Sequence, residues 1–189
     1  MKTIEFPANR SIGYVHFQQS DVPASFHGRF NLDGSLLPDT FNPIWQLIGA
    51  AQGIVELPQH GVVMLEVMPE EARDLSPLSS FAPNDLDAIW LGNTYASDDQ
   101  LIHLAHLTGL LWIDLQNNGN ITDAGVAHLR GLKSLRSFGA HWTRISALTM
   151  EYLAEMPELT YIDIWGCEIP TQAVDEFKIK LPKCEVRTE

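Results

Sequence analysis

LLWIDLQNNGNITDAGVAHLRGLKS, residues 110–134, has three companions in the chain. Leu86 opens LDAIWLGNTYASDDQLIHLAHLTG, Leu135 opens LRSFGAHWTRISALTMEYLAEMPE and Leu159 opens LTYIDIWGCEIPTQAVDEFKIKLP, so the units start 24, 25 and 24 residues apart. Self-similarity at such a period marks stacked units that bury one continuous core between them. In each unit the first, fourth and sixth residues are apolar: Leu86, Ile89, Leu91; Leu110, Ile113, Leu115; Leu135, Phe138, Ala140; Leu159, Ile162, Ile164. That alternation predicts a short strand with one buried face. Leu101, Leu104, Leu107 and their counterparts Val126, Leu129, Leu132; Met150, Leu153, Met156; and Val174, Phe177, with Leu181 slightly displaced, predict a helical stripe later in each unit. Ser97, Thr122, Ser146 and Thr171 stand between strand and helix, where a hydroxyl caps the orphan amides of a helix start, and Ser97 with Gln100 spells a capping box.

Stepping back 24 residues from Leu86 reaches Val62, Leu65 and Val67, then Leu75, Leu78 and Phe81, a degenerate first repeat over 62–85 whose prolines argue against a full helix. Full repeats follow over 86–109, 110–134, 135–158 and 159–182, with a closing strand over 183–187. Residues 1–61 are expected to form a β-rich N-terminal cap, because a solenoid must protect its first edge strand from aggregation. GYVHF (13–17) alternates like a strand, and IVEL (54–57) followed by VVMLEV predicts a hairpin. Pro23, Gly28, Gly34, Pro38 and Pro43 mark residues 18–43 as a loop or long crossover.

With these residues in place, the chain over about 62–186 resembles the leucine-rich repeat family, and more narrowly bacterial repeat proteins whose units read ITDAGVAHLRGLKSL, as residues 121–135 do here. The resemblance implies an α/β fold: a leucine-rich repeat solenoid with a parallel sheet on its concave face and short helices on its convex face. It also implies that Thr94, Asn118, Thr143 and Cys167, at the ninth position of each unit, are buried against turn backbone groups. Repeats three and four depart from the TDAG phrase, reading SALT and PTQA.

Strand residues between the buried positions point the other way, so positions three, five, seven and eight line the concave surface. Trp90, Trp112, Asp114, Gln116, His141, Trp142, Tyr161, Asp163 and Trp165 fall there, and four of the chain's five tryptophans are among them. A cluster of exposed aromatics marks a contact site; the alternative is that crowding between strands shields these rings in a structural ladder. Asp114, Asp163 and Glu66 are the charges of this surface. Carboxylates beside ring faces suit Lys and Arg side chains through ion pairing and cation–π contact, so the partner expected is a protein with a basic surface. Acidic repeat inhibitors of ribonucleases block a cationic enzyme with this kind of surface, which makes an inhibitor or immunity protein the sharper expectation.

The 24 Asp and Glu against 12 Lys and Arg leave a net charge of −12, which repels phosphate backbones and anionic lipid surfaces, so neither nucleic acid nor membrane is expected as a partner. MKTIEFPANRSIGYVHF lacks the apolar core of a signal peptide, and no segment approaches the roughly 18 apolar residues of a membrane span. Cys167 and Cys184 are too few for a disulfide framework, so a cytoplasmic protein with reduced thiols is expected, monomeric or weakly associating. No cofactor or metal is expected. His103 and His106 have a spacing compatible with one metal face, but no Cys or carboxylate completes a set of three or four ligands, and His103 with His128 merely repeats the phrase AHL. Two other readings stay open. One is a structural scaffold or adaptor in a larger assembly, using the convex charges Arg130, Lys133 and Arg136. The other is a hydrolase using His141 and Asp163, which fall on neighbouring strands; the chain carries no phosphate loop or nucleophile elbow, so it is read as no enzyme.

Overall fold

A computed structural model describes residues 1–18 and 45–189. The loop expected over 18–43 lies outside the described residues, apart from Gln18, which ends a strand. Five three-residue strands carry the repeats: β6 (Ala88–Trp90), β7 (Trp112–Asp114), β8 (Ser137–Gly139), β9 (Tyr161–Asp163) and β10 (Glu185–Arg187). They pair in parallel, and the register sets equivalent residues side by side: Ile89 on Ile113, Ile113 on Phe138, Phe138 on Ile162, Ile162 on Val186. The first four of these are wholly buried, because the apolar residue of each strand meets its own copy in the next unit. Helices α1 (Asp98–Leu101), α2 (Asp123–His128), α3 (Ala147–Leu153) and α4 (Thr171–Lys180) return the chain from one strand to the next. The protein is thus mixed α/β with a parallel sheet.

Before the repeats lie β1 (Lys2–Glu5), β2 (Gly13–Gln18), β3 (Gln46–Ala50), β4 (Ile54–Leu57) and β5 (Val62–Val67). Among the described residues one eight-stranded sheet runs β10-β9-β8-β7-β6-β5-β2-β3, with β2 antiparallel to both β5 and β3. The hairpin expected between 54–57 and 62–67 does not form. β5 has β2 on one edge and β6 on the other, so no edge remains for β4, which pairs instead with β1 as a separate antiparallel ribbon. The degenerate repeat has two 3-10 turns, Glu71–Arg73 and Ser76–Ser80, in place of a helix, and Leu75, Leu78 and Phe81 are buried beneath them.

The stripe residues are buried as expected, except Leu181, which is half-buried, yet Leu107, Leu132 and Met156 lie beyond the ends of their helices. A strict period of three is that of the 3-10 turn rather than of the α-helix, and α1 passes into 3-10 geometry at Ile102–Leu104. Capping also divides. Thr122 and Ser146 accept from the amides of Ala124 and Leu148. The capping box does not form: Ser97 makes no side-chain cap bond, and the Gln100 side chain accepts instead from the amide of Leu75 in the preceding unit; Thr171 is already helical, with Pro170 at the cap position.

The ninth position bonds to turn carbonyls as the resemblance implied, with Thr94, Asn118 and Thr143 buried but Cys167 only half-buried. Thr94 donates to the carbonyl of Leu91 at 2.7 Å and Thr143 to that of Ala140 at 2.6 Å. Asn118 donates to the carbonyls of Leu91 and Leu115 at 2.7 and 2.9 Å, and the Cys167 thiol to that of Ala140 at 3.1 Å. Both cysteines are unpaired.

Candidate functional site

Because every strand is offset by one repeat, each strand position expected to line the binding surface becomes a column across the sheet. The fifth position reads Glu66, Trp90, Asp114, Gly139, Asp163, Arg187, and the third reads Met64, Ala88, Trp112, Ser137, Tyr161, Glu185. Gln116, His141 and Trp165 follow two residues after the fifth-position column, where the backbone ladder persists past the strand ends: Asn117 N donates to His141 O at 2.9 Å and Trp142 N to Trp165 O at 3.0 Å.

Two groups of side chains result. At the N-terminal end Trp90 and Trp112 stack with ring centroids 5.7 Å apart, tilted by 50°, in a buried cluster with Met64 and Ala88, against which Trp45 packs. These positions were expected to be open, but the two rings are 8% and 5% exposed. Parallel strands bring third and fifth positions of adjacent units into contact, so large rings there shield one another. Trp45 carried no periodic signal, since it precedes the repeats.

The second group lies at the C-terminal end. Asp163 Oδ2 sits 3.2 Å from His141 Nδ1 and 3.0 Å from Arg187 Nη1, while its Oδ1 accepts from Trp165 N at 3.2 Å. Burial opposes the Asp163 charge, but the hydrogen bonds from His141 and Trp165 and the nearby charges outweigh it and hold its pKa below the ordinary value. Asp114 makes the same local turn, accepting from Gln116 N at 2.9 Å, and no arginine pairs with it among the described residues. Burial drives its pKa up to about 7, against the pull of the Gln116 amide and His141. Gly139 intervenes between the two aspartates; a Cβ there would lie 3.2 Å from Asp114 Oδ2, so the missing side chain makes room for the carboxyl. Two carboxyl groups of unlike protonation thus flank one imidazole, an arrangement able to hold a proton. Tyr161 beside them is pushed up to about 12, by burial and by Asp163. Arg187 was absent from the sequence-derived set, although a step of 24 residues from Asp163 reaches it.

Of the nine expected residues, Trp142 is 52% exposed, Tyr161 and Trp165 are half-buried, and Trp90, Trp112, Asp114, Gln116, His141 and Asp163 are buried. Glu66 pairs with His16 Nε2 at 2.8 Å. Trp142 and Trp165 stack at 5.0 Å with a 35° tilt, and Arg187 lies over the Trp165 ring at 5.5 Å. Elsewhere, His103 meets Ser79 Oγ at 2.8 Å while His106 donates to the carbonyl of Phe81 at 3.1 Å, so the two imidazoles serve different neighbours. Of the charges expected on the opposite flank, Arg130 and Lys133 both pair with Glu155 of the next unit, and Arg136 is exposed. No helix among the described residues is long and apolar enough to cross a membrane.

No protein-family model matches the sequence, and no curated protein matches it. An internalin from Listeria monocytogenes is similar in structure over 60% of this chain and 37% of its own, at 19% identity and a TM-score of 0.42. The chain therefore spans little more than a third of that protein's length.

Proposed function

We propose that this chain is a leucine-rich repeat solenoid, close to the bacterial units that read ITDAGVAHLRGLKSL, and that it recognises a protein of basic surface as an inhibitor or immunity protein. The observation that carries this reading is the Trp142–Trp165 stack, which leaves an indole 52% exposed on the rim of the concave face. Large rings held open to solvent in a fixed orientation are the anchors of protein interfaces. The net charge of −12 supplies the long-range attraction for a cationic partner, because the acids of the face itself are engaged: Glu66 with His16, Asp163 with His141 and Arg187. In this reading Trp142, Tyr161 and Trp165 touch the partner, and Trp90, Trp112, Asp114, Gln116, His141 and Asp163 hold the surface from behind. The proposal includes a reducing, cytoplasmic setting and a monomeric or weakly associating state, with no nucleic acid, membrane, metal or cofactor involved.

The experiment is a pull-down from a lysate of the source organism with the wild-type chain beside a Trp142→Asn, Tyr161→Ala, Trp165→Ala variant, read by mass spectrometry. A basic protein retained by the first bait, released by 0.5–1 M salt and lost from the second is the expected result, since screening lengths shrink to a few ångströms in that range, about 3 Å at 1 M. Identical sets on both baits sink the concave-face reading and point to a scaffold acting through the convex flank. One observation favours a second reading, a hydrolase: the 3.2 Å contact of His141 with Asp163 beside the protonatable Asp114. Turnover of an activated ester that is abolished by His141→Gln distinguishes it.

A further inference from the structure

The eighth position of the repeat is the one place where the backbone of every full unit turns left-handed: Asn93 at φ 58°, Asn117 at φ 56°, Trp142 at φ 56° and Gly166 at φ 72°. Asparagine and glycine are the residues that tolerate this conformation, and a bulky side chain there is an outlier whose presence asks for a reason. Trp142 is that outlier. The neighbouring unit accommodates it: a Cβ on Gly166 would lie 1.9 Å from Cδ1 of the Trp142 ring, so the indole crosses the backbone where any other residue would obstruct it. Trp165 stacks against it at 5.0 Å and His141 meets it edge-on at 6.3 Å. Three neighbours thus fix the direction of a ring that remains half open to solvent.

Among the described residues three arginines sit over aromatic rings. Arg73 lies 4.0 Å from the centroid of Tyr95, Arg130 4.7 Å from that of Tyr152 and Arg187 5.5 Å from that of Trp165. Trp142 carries none among the described residues, although tryptophan offers the strongest quadrupole of the three ring types. Asp163, its pKa held below the ordinary value, accepts from the backbone amide of Trp165 in the stack at 3.2 Å, and the chain as a whole carries a net charge of −12.

We infer that Trp142 is the anchor of the interface, and that its open face takes a guanidinium or ammonium from an extended basic segment of the partner protein. The inference rests on the proposed basic partner and adds which residue meets it and how. The test uses the full chain with a peptide of alternating Arg and Gly, and an alternating Glu and Gly peptide as control. Binding is followed by indole quenching and by calorimetry in low and high salt. Trp142→Asn matches the left-handed column set by Asn93 and Asn117, so its circular dichroism and melting curve report whether the fold is kept. Trp142→Phe keeps a ring with a weaker quadrupole.

The expected result is binding of the Arg peptide alone, weakened at least tenfold in Trp142→Asn and by a smaller factor in Trp142→Phe, with the wild-type fold retained. If Trp142→Asn binds the Arg peptide as tightly as wild type, the anchor is elsewhere and only the basic-partner reading survives. Equal affinity of Trp142→Phe and Trp142→Asn removes the cation–π contact. Failure of the wild-type chain to prefer the Arg peptide overturns both.

Discussion

Asp114 shows how a single buried group ties stability to pH. Its pKa rises from 3.8 to about 7, because the folded state withdraws the carboxylate from water and the Gln116 amide and His141 offset only part of that cost. The folded protein therefore keeps a proton that the unfolded chain releases, and stability owed to this group declines as pH climbs from about 4 to about 7. At 1.36 kcal/mol per unit the full effect is on the order of 4 kcal/mol. Asp114→Asn is expected to raise the urea midpoint at pH 8, with the gain shrinking to nothing near pH 4; equal gains at both pH values would contradict the assignment. Asn118 works by geometry instead. Replacing it with Leu leaves Thr94 on the carbonyl of Leu91 and the amide of Asn93 on that of Gln116, but strips the carbonyl of Leu115 of its donor. A buried orphan of this kind costs roughly 2 kcal/mol, measurable as a lowered urea midpoint with unchanged slope. The need for a polar residue at 118 was legible from the ninth-position pattern. The environment of Asp114 was not, since burial at a concave position depends on which rings surround it.

Between elements, the aspartates of the first helical turns act as staples from one unit to the next. Asp98 accepts from the amide and hydroxyl of Thr122 at 2.7 and 2.6 Å, and Asp123 from the amide and hydroxyl of Ser146 and from both groups of Thr149. Burial works against the Asp123 charge, but the bonds from Ser146 and Thr149 outweigh it, so its pKa lies below 3.8. Its contribution is accordingly present above about pH 4 and fades as pH falls through the lowered folded value. Asp123→Ala is expected to cost about 2 kcal/mol at pH 7 and to lower the melting temperature by roughly 5 °C, with the gap to wild type narrowing in acid. A gap independent of pH would show that packing, not the carboxylate, is what was lost. In the sequence this aspartate is one letter of the phrase TDAG; its four donors come from the following unit, which the phrase does not contain. The hydroxyls at 122 and 146 thus do double duty, capping their own helices and donating backwards.

At the scale of the whole molecule, the sheet places antiparallel β2 and β3 ahead of the parallel array. β2 covers an edge of β5 whose Val63, Leu65 and Val67 are buried, so a chain starting at residue 62 bares a long apolar edge. Such a truncation is expected to elute as aggregates in size exclusion while the full chain elutes as a discrete species; a soluble, cooperatively folding 62–189 fragment would refute the capping role.

The repeat period, the strand and helix alternation and the columns of residues between the buried strand positions followed from the sequence alone, because each is a local pattern that recurs and the register of one unit dictates that of the next; the polar ninth position followed from the resemblance those repeats carry. What only tertiary structure decided was which of those concave residues face solvent. Trp90 and Trp112 shield each other while Trp142 stands open, and Asp163 finds Arg187 while Asp114 finds no arginine among the described residues. These outcomes depend on the volumes and charges that neighbouring units bring into contact across the sheet, and no single repeat carries that information.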